Sequence, residues 1–292
     1  MSQDNKNTRS KSILTIKFML FTASIIPSIL SGAMFWKFGV MRWADYLLMF
    51  LGIFIAQLAG DYLYYYFTHF HTDPRDSHVK LFAGWRPFFA DSWLAGKRTL
   101  VAGLFCLAID AGIGLYFVLN IGWQLAVFVA AGGAIALLFT PLMLVGLKEI
   151  TVFLAFGPLA MSGMAFVMTG RIVPETVAVS IPVGLWVAIV AHLKSAKIKS
   201  MDEKSGMVTL STSKAIVVSM AVLSYIALAL GVILGYLPTL ALLGFLSLIP
   251  MFFVFKTLLE SNSTVTNYLK AVIISIIALV VGGLSIAAAY LV

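Results

Sequence analysis

From residue 13 onward, long apolar runs alternate with short polar breaks. Val101 to Leu119, Val173 to Ala191 and Ala271 to Val292 are examples, each close to the ~20 residues a helix needs to cross the hydrocarbon core of a bilayer. Read this way, the chain predicts nine transmembrane helices at 13–35, 46–68, 99–118, 122–145, 150–169, 173–193, 214–235, 238–256 and 271–291. The polar residues 1–12 are expected to form a disordered cytoplasmic tail, and 13–292 a single all-α membrane domain. No small-residue cleavage site follows the first apolar run, so a removable signal peptide is not expected.

Composition sharpens this picture. The 292 residues are 61% hydrophobic and 11% charged, where soluble domains carry about 25% charged residues. The mean hydropathy is +1.01. A net charge of +8 would suit nucleic acid if it lined one face of a soluble module, but here the basic residues sit between spans. Nine spans divide the 20 Lys and Arg residues unequally: only Lys37, Arg42 and Arg171 fall on one side, which leaves 17 for the other. The positive-inside rule makes the richer side, and the amino terminus, cytoplasmic. The single cysteine, Cys106, lies mid-span and reads as a small buried hydrophobe.

Two long polar segments follow the second and sixth spans on the cytoplasmic side, Thr68 to Lys97 and Lys194 to Ser213. Long loops in compact proteins tend to carry function, and their separation by four spans suggests two similar halves facing one another. The candidate active site lies between them. Asp61 sits about two turns before the first loop, and an acid at membrane depth normally faces a polar cavity or pairs with a neighbouring helix. Tyr64, Tyr65 and Tyr66 read either as an interfacial aromatic belt or as a cavity lining.

In the first loop His69, His71, Asp73, Asp76 and His78 crowd into ten residues, a set open to Mg²⁺ or to plain solvation; no spacing typical of zinc is present. In the second, Lys194, Lys197 and Lys199 follow His192 at helical spacing and read either as topology and lipid-headgroup signals or as a diphosphate site. Arg86 and the pair Lys97-Arg98 could extend such an anion site. Asp110 and Glu149 are further membrane acids, each a candidate cavity residue or salt-bridge partner.

Several short motifs resemble the UbiA superfamily of intramembrane prenyltransferases, most closely its MenA-like branch, which makes menaquinone precursors. Ile25-Ile-Pro27-Ser-Ile-Leu-Ser-Gly32 resembles that branch's first helix, and Ala56-Gln-Leu-Ala-Gly-Asp61-Tyr62 its N-L-x-N-D-Y segment. Arg86-Pro87 falls at its R-P-L-x-S-G turn. Gly146-Leu-Lys-Glu149, Phe156-Gly157-Pro158 and Thr169-Gly170 resemble its G-L-G-E, F-G-P and T-G. The likeness runs from about Lys17 to Val292 and rests on the order of the motifs.

The resemblance implies a bundle of nine spans in a bacterial or archaeal cytoplasmic membrane, with the active site facing the cytoplasm. It also implies an isoprenyl diphosphate held by Mg²⁺ on two aspartate motifs, then ionised so that a lipophilic acceptor captures the allylic cation. Diphosphate leaves readily only when its growing charge is neutralised. The sequence departs from the family at those motifs: Gly60, Tyr64 and Thr68 replace the asparagine and two aspartates around Asp61, and Ser195 and Lys199 replace both aspartates of the second.

The expected metal ligands are then Asp73, Asp76 and Asp202. The expected diphosphate ligands are Arg86, Lys194, Lys197 and Lys199, and the expected catalytic residues Asp61, Tyr64, Tyr65 and Glu149. Two other readings keep the same bundle. One is a terpene cyclase, in which the prenyl chain's own double bonds capture a cation steadied by aromatic faces; the other is a lipid-binding or partner protein without catalysis. A transporter ranks last, since the polar groups gather at one face and not at the midplane.

Overall fold

The computed structural model describes residues 21–70, 97–194, 198–202, 207–210, 214–259 and 265–292. The apolar runs form helices α1 (Thr22–Lys37), α2 (Trp43–Phe70), α3 (Lys97–Ile121), α4 (Leu125–Leu144) and α5 (Lys148–Leu154). Helices α6 (Ala160–Thr169), α7 (Pro174–Lys194), α8 (Lys214–Ile233), α9 (Leu248–Leu259) and α10 (Val265–Leu291) follow. A π turn over Ala155–Leu159 fuses α5 to α6, and a 3-10 segment over Thr239–Ser247 leads into α9. Among the described residues, eight helices are long and apolar enough to cross a membrane, so the chain is an integral membrane protein.

Those eight match the second to ninth expected spans to within several residues. Helix α1 is the later part of the first, whose beginning lies outside the described residues, as does the 1–12 tail. Successive spans run antiparallel. The ends that carry most of the basic residues, near Lys97, Lys148, Lys194, Lys214 and Lys270, therefore gather on one side. At the opposite end Arg42 bonds Asp45 at 2.6 Å and donates to the Val167 carbonyl, tying α2 to α6.

One expectation is corrected. Lys194 and Lys199 do not share one helix, because Lys194 belongs to α7 and Ile198–Asp202 forms a strand, β1. It pairs antiparallel with β2, Met207–Leu210, in the register Ser200↔Thr209 and Asp202↔Met207, with an irregularity between Ile198 and Ser200. The β-branched residues Ile198, Val208 and Thr209 suit a short strand pair. Outside the membrane the backbone can exchange helical bonds for this ladder, so a short hairpin joins an otherwise helical bundle.

Packing divides into two regions. The larger core gathers around α7 and α10, with Trp186, Ile189, Leu193, Leu228, Ile276 and Leu279 among its fully buried side chains. The smaller holds Phe35, Tyr46, Met49, Phe117, Leu125 and Met164, all toward the Arg42 side of the bundle. On the Lys194 side, polar side chains of α2, α5 and α7 meet.

The contact that sets their register is a glycine crossing. Pro158 has no N–H to offer the Leu154 carbonyl, and the helix accommodates it with the π turn. There Gly157 lies against Gly184 of α7: a Cβ on Gly157 would sit 2.6 Å from the Ser180 carbonyl oxygen and 2.9 Å from the Gly184 Cα. A Cβ on Gly184 would sit 2.8 Å from the Phe153 carbonyl oxygen. Lipid offers helices little hydrophobic reason to associate, so close backbone approach at small residues is what holds such a pair.

Candidate functional site

In an antiparallel pair, stepping the same number of residues toward one end from a contact finds the next contact. Eight residues toward the Lys194 side from Gly157 and Gly184 stand Glu149 and His192. At 1.5 Å per residue this is about 12 Å along both helices. His192 Nδ1 is 2.7 Å from Glu149 Oε1. A carboxylate oxygen can only accept, so Nδ1 carries the hydrogen, and in the neutral ring Nε2 keeps its lone pair.

Lys148 closes on the same carboxylate oxygen at 3.0 Å. It is buried, and it occupies the first turn of α5, where the helix's partial positive charge disfavours a cation. Helix stability therefore does not account for a lysine here; an anion does. Glu149, beside it in the same turn, supplies one and also suits the helix start.

The last residue of α7 brings a second cation. Lys194 Nζ is 3.9 Å from Asp61 Oδ1 on α2, an ion pair looser than a hydrogen bond. Lys148 and Lys194 lie close enough to act on one another's charge, which makes the two ion pairs one cluster. Asp61, Lys148, Glu149, His192 and Lys194 thus meet where the Lys148 end of α5 and the Lys194 end of α7 reach α2, with side chains between 11% and 30% exposed. Two carboxylates oppose two ammonium groups, so with a neutral imidazole the cluster carries no net charge.

Three of the expected residues, Asp61, Glu149 and Lys194, are brought together. Tyr64 and Tyr65 follow Asp61 by three and four residues, on the same side of α2. Tyr65 is buried, and Tyr64 packs edge-on to Phe139 of α4 with ring centroids 5.8 Å apart. Asp73, Asp76, Arg86 and Lys197 lie outside the described residues. For Lys199 and Asp202 the description covers the backbone of β1 and not the side chains.

Sequence reasoning missed Lys148 and His192 as members of the site. The signal for Lys148 was its place beside Glu149 in the Gly146-Leu-Lys-Glu149 motif. For His192 it was the matching distance to Gly184.

Among the described residues no three His, Cys, Asp or Glu side chains group as a metal site. The two acids of the cluster face nitrogen groups: Asp61 meets Lys194, and Glu149 meets Lys148 and His192. This donor set does not by itself fit Mg²⁺. It suits an anion that can exchange places with a carboxylate. No protein-family model matches the chain, and no curated protein matches it.

Proposed function

We propose that the chain is a divergent intramembrane prenyltransferase of the UbiA kind, acting on an isoprenyl diphosphate at the cytoplasmic ends of α2, α5 and α7. The observation that carries this reading is the meeting of Asp61, Glu149 and Lys194, drawn from distant segments, around the buried Lys148. A diphosphate entering there takes Lys148 and Lys194 from their carboxylate partners. The allylic C–O bond breaks with its electron pair passing to the diphosphate oxygen, and the two ammonium groups neutralise the added charge.

A lipophilic acceptor captures the cation, and the proton it sheds passes to Nε2 of His192, oriented by Glu149. The ring faces of Tyr64 and Tyr65 border the cation. Mg²⁺ ligation belongs, on this reading, to Asp73, Asp76 and Asp202.

The test is release of diphosphate from labelled isoprenyl diphosphates of several chain lengths, with and without Mg²⁺, using the purified full chain in lipid. Release is expected, and it is expected to fall by about 10²-fold or more in Lys148→Met, the scale of losing one group that stabilises the leaving charge. A second reading, a lipid-binding homologue without catalysis, draws support from the internal pairing of the cluster's charges. No release at any chain length, with lipid binding retained, would favour it and sink the enzyme.

A further inference from the structure

Asp110 takes no part in the cluster described above. It stands 13 residues into α3, a 25-residue helix that begins at Lys97, and so lies near the middle of the membrane. Its carboxyl fills a notch left by a missing side chain on α2: the position of a Cβ on Gly52 would be 3.3 Å from Asp110 Oδ1 and 3.4 Å from Ile113. The carboxyl is thus wedged between α2 and α3 in apolar surroundings, on a helix whose membrane window is only 11% buried by protein.

No cation among the described residues pairs with it. Helix α4, which also packs on α3, contains no titratable residue. On α2, the stretch opposite Asp110 from Met49 to Ala56 has none either. A carboxylate at this depth without a partner is costly, whereas a carboxylic acid is tolerable.

The titratable groups that approach Asp110 lie on its cytoplasmic side. Cys106 is one turn away on the same face of α3. Tyr62 of α2 lies within electrostatic reach of both Cys106 and Asp61, and Asp61 in turn faces Lys194. Toward the outer end, α2 has no titratable residue until Tyr46, whose hydroxyl is turned to the Ser28 carbonyl of α1, and Asp45, which is held by Arg42. On α3 the next is Tyr116, off the face that carries Asp110.

We propose that Asp110 is a proton-binding site within the membrane, a neutral carboxylic acid between α2 and α3 that exchanges its proton with the cytoplasmic side past Cys106 and Tyr62. This does not rest on the prenyltransferase reading and survives its failure.

The probe is dicyclohexylcarbodiimide, which enters lipid and reacts only with a protonated carboxyl. The acid proton moves to a carbodiimide nitrogen, the carboxylate oxygen bonds the central carbon, and the O-acylisourea rearranges to a stable N-acylurea, with no atom lost. The full chain in sealed vesicles of known orientation is treated over pH 6 to 9 and the adduct mapped by mass spectrometry.

The expected result is an adduct on Asp110 that forms several-fold faster at pH 6 than at pH 9, and whose rate follows the pH of the compartment facing the Lys194 end. A water-soluble carbodiimide should leave Asp110 unmodified. No adduct on Asp110, a rate indifferent to pH, a rate set by the opposite compartment, or equal reaction with the water-soluble reagent would each overturn the proposal. These measurements use the unaltered chain and so need no variant to fold; Asp110→Asn, where it folds, must lose the adduct.

Discussion

Helices α7 and α4 cross the same membrane with comparable apolar content, yet 72% of the membrane window of α7 is buried by protein against 6% of that of α4. The difference teaches that hydropathy finds a span without saying what it faces. In α7, Gly184, Trp186, Ile189 and Leu193 are each enclosed by neighbouring helices. In α4, Val127, Leu137, Leu138 and Leu144 stand open. Lipid is as good a neighbour for leucine as another leucine is, so the open face of α4 costs nothing, and shape decides which helix lies inside. The polar cluster sits where the two regions adjoin, with Asp61 on α2 and its partners at the buried helices α5 and α7.

The comparison breaks most sharply with truncation. Trp186 is 1% exposed and lies over Gly282, where an added Cβ would come within 2.6 Å of its ring. Trp186→Ala should therefore destabilise the fold by about 3–5 kcal/mol. Leu138→Ala on α4, where the side chain is 51% exposed, should change stability by under about 0.5 kcal/mol. Unfolding in a mixed micelle, followed by tryptophan-independent circular dichroism, measures both. Equal effects would mean that the two regions are not packed differently.

Glycine substitutions ask the same question of the backbone. Gly157→Leu forces α5 and α6 away from α7 and should cost about 1–3 kcal/mol or more. Because the same crossing sets the register of Glu149 and His192, it should also abolish the proposed diphosphate release. Gly133→Ala on α4, where a Cβ meets nothing within 4 Å, should be neutral or stabilise by up to about 1 kcal/mol through helix propensity. A loss of stability at Gly133 would reveal a partner on that face.

How much of this was legible in the sequence follows from the same contrast. The spans were legible because each apolar run is long and basic residues such as Lys97, Lys148 and Lys194 mark the ends that gather on one side. Asp61 and Glu149 stood out as charges at membrane depth, and Lys194 as a basic residue at the start of a long polar loop. Their meeting was not legible, because it depends on the rotation of α5 against α7 that the π turn at Pro158 and the Gly157–Gly184 contact impose. His192 was hidden for that reason, since a lone histidine near a helix end has no distinguishing pattern until its partner is known. The pairing of β1 with β2 was hidden because Lys199 follows Lys194 at a spacing that suits a helix as well as a strand.

Within the cluster, the two ion pairs should differ in the same direction as the two regions. Glu149 holds two nitrogen groups, so Glu149→Gln removes the charge that Lys148 meets at 3.0 Å and 11% exposure and should cost about 3 kcal/mol. A double-mutant cycle of Glu149→Gln with His192→Phe should return a coupling of about 0.5–3 kcal/mol, since the two share one hydrogen bond. Additive effects would show that the 2.7 Å contact contributes nothing of its own.

The smallest effect belongs to Asp61 and Lys194. They stand 3.9 Å apart with side chains 30% and 26% exposed, close enough to attract but wet enough to be screened. Asp61→Asn should therefore cost about 1 kcal/mol or less in stability, and that cost should shrink as salt rises, while the cost of Glu149→Gln stays nearly constant. If this pair exists to be exchanged for an anion, a weak bond is what the task requires: a diphosphate must be able to take Lys194 from Asp61 and return it. Pyrophosphate should then protect the chain against unfolding, and Asp61→Asn should raise that protection by removing a carboxylate that competes for the lysine. Protection that is unchanged or weakened in Asp61→Asn would mean that Lys194 serves only to join α7 to α2.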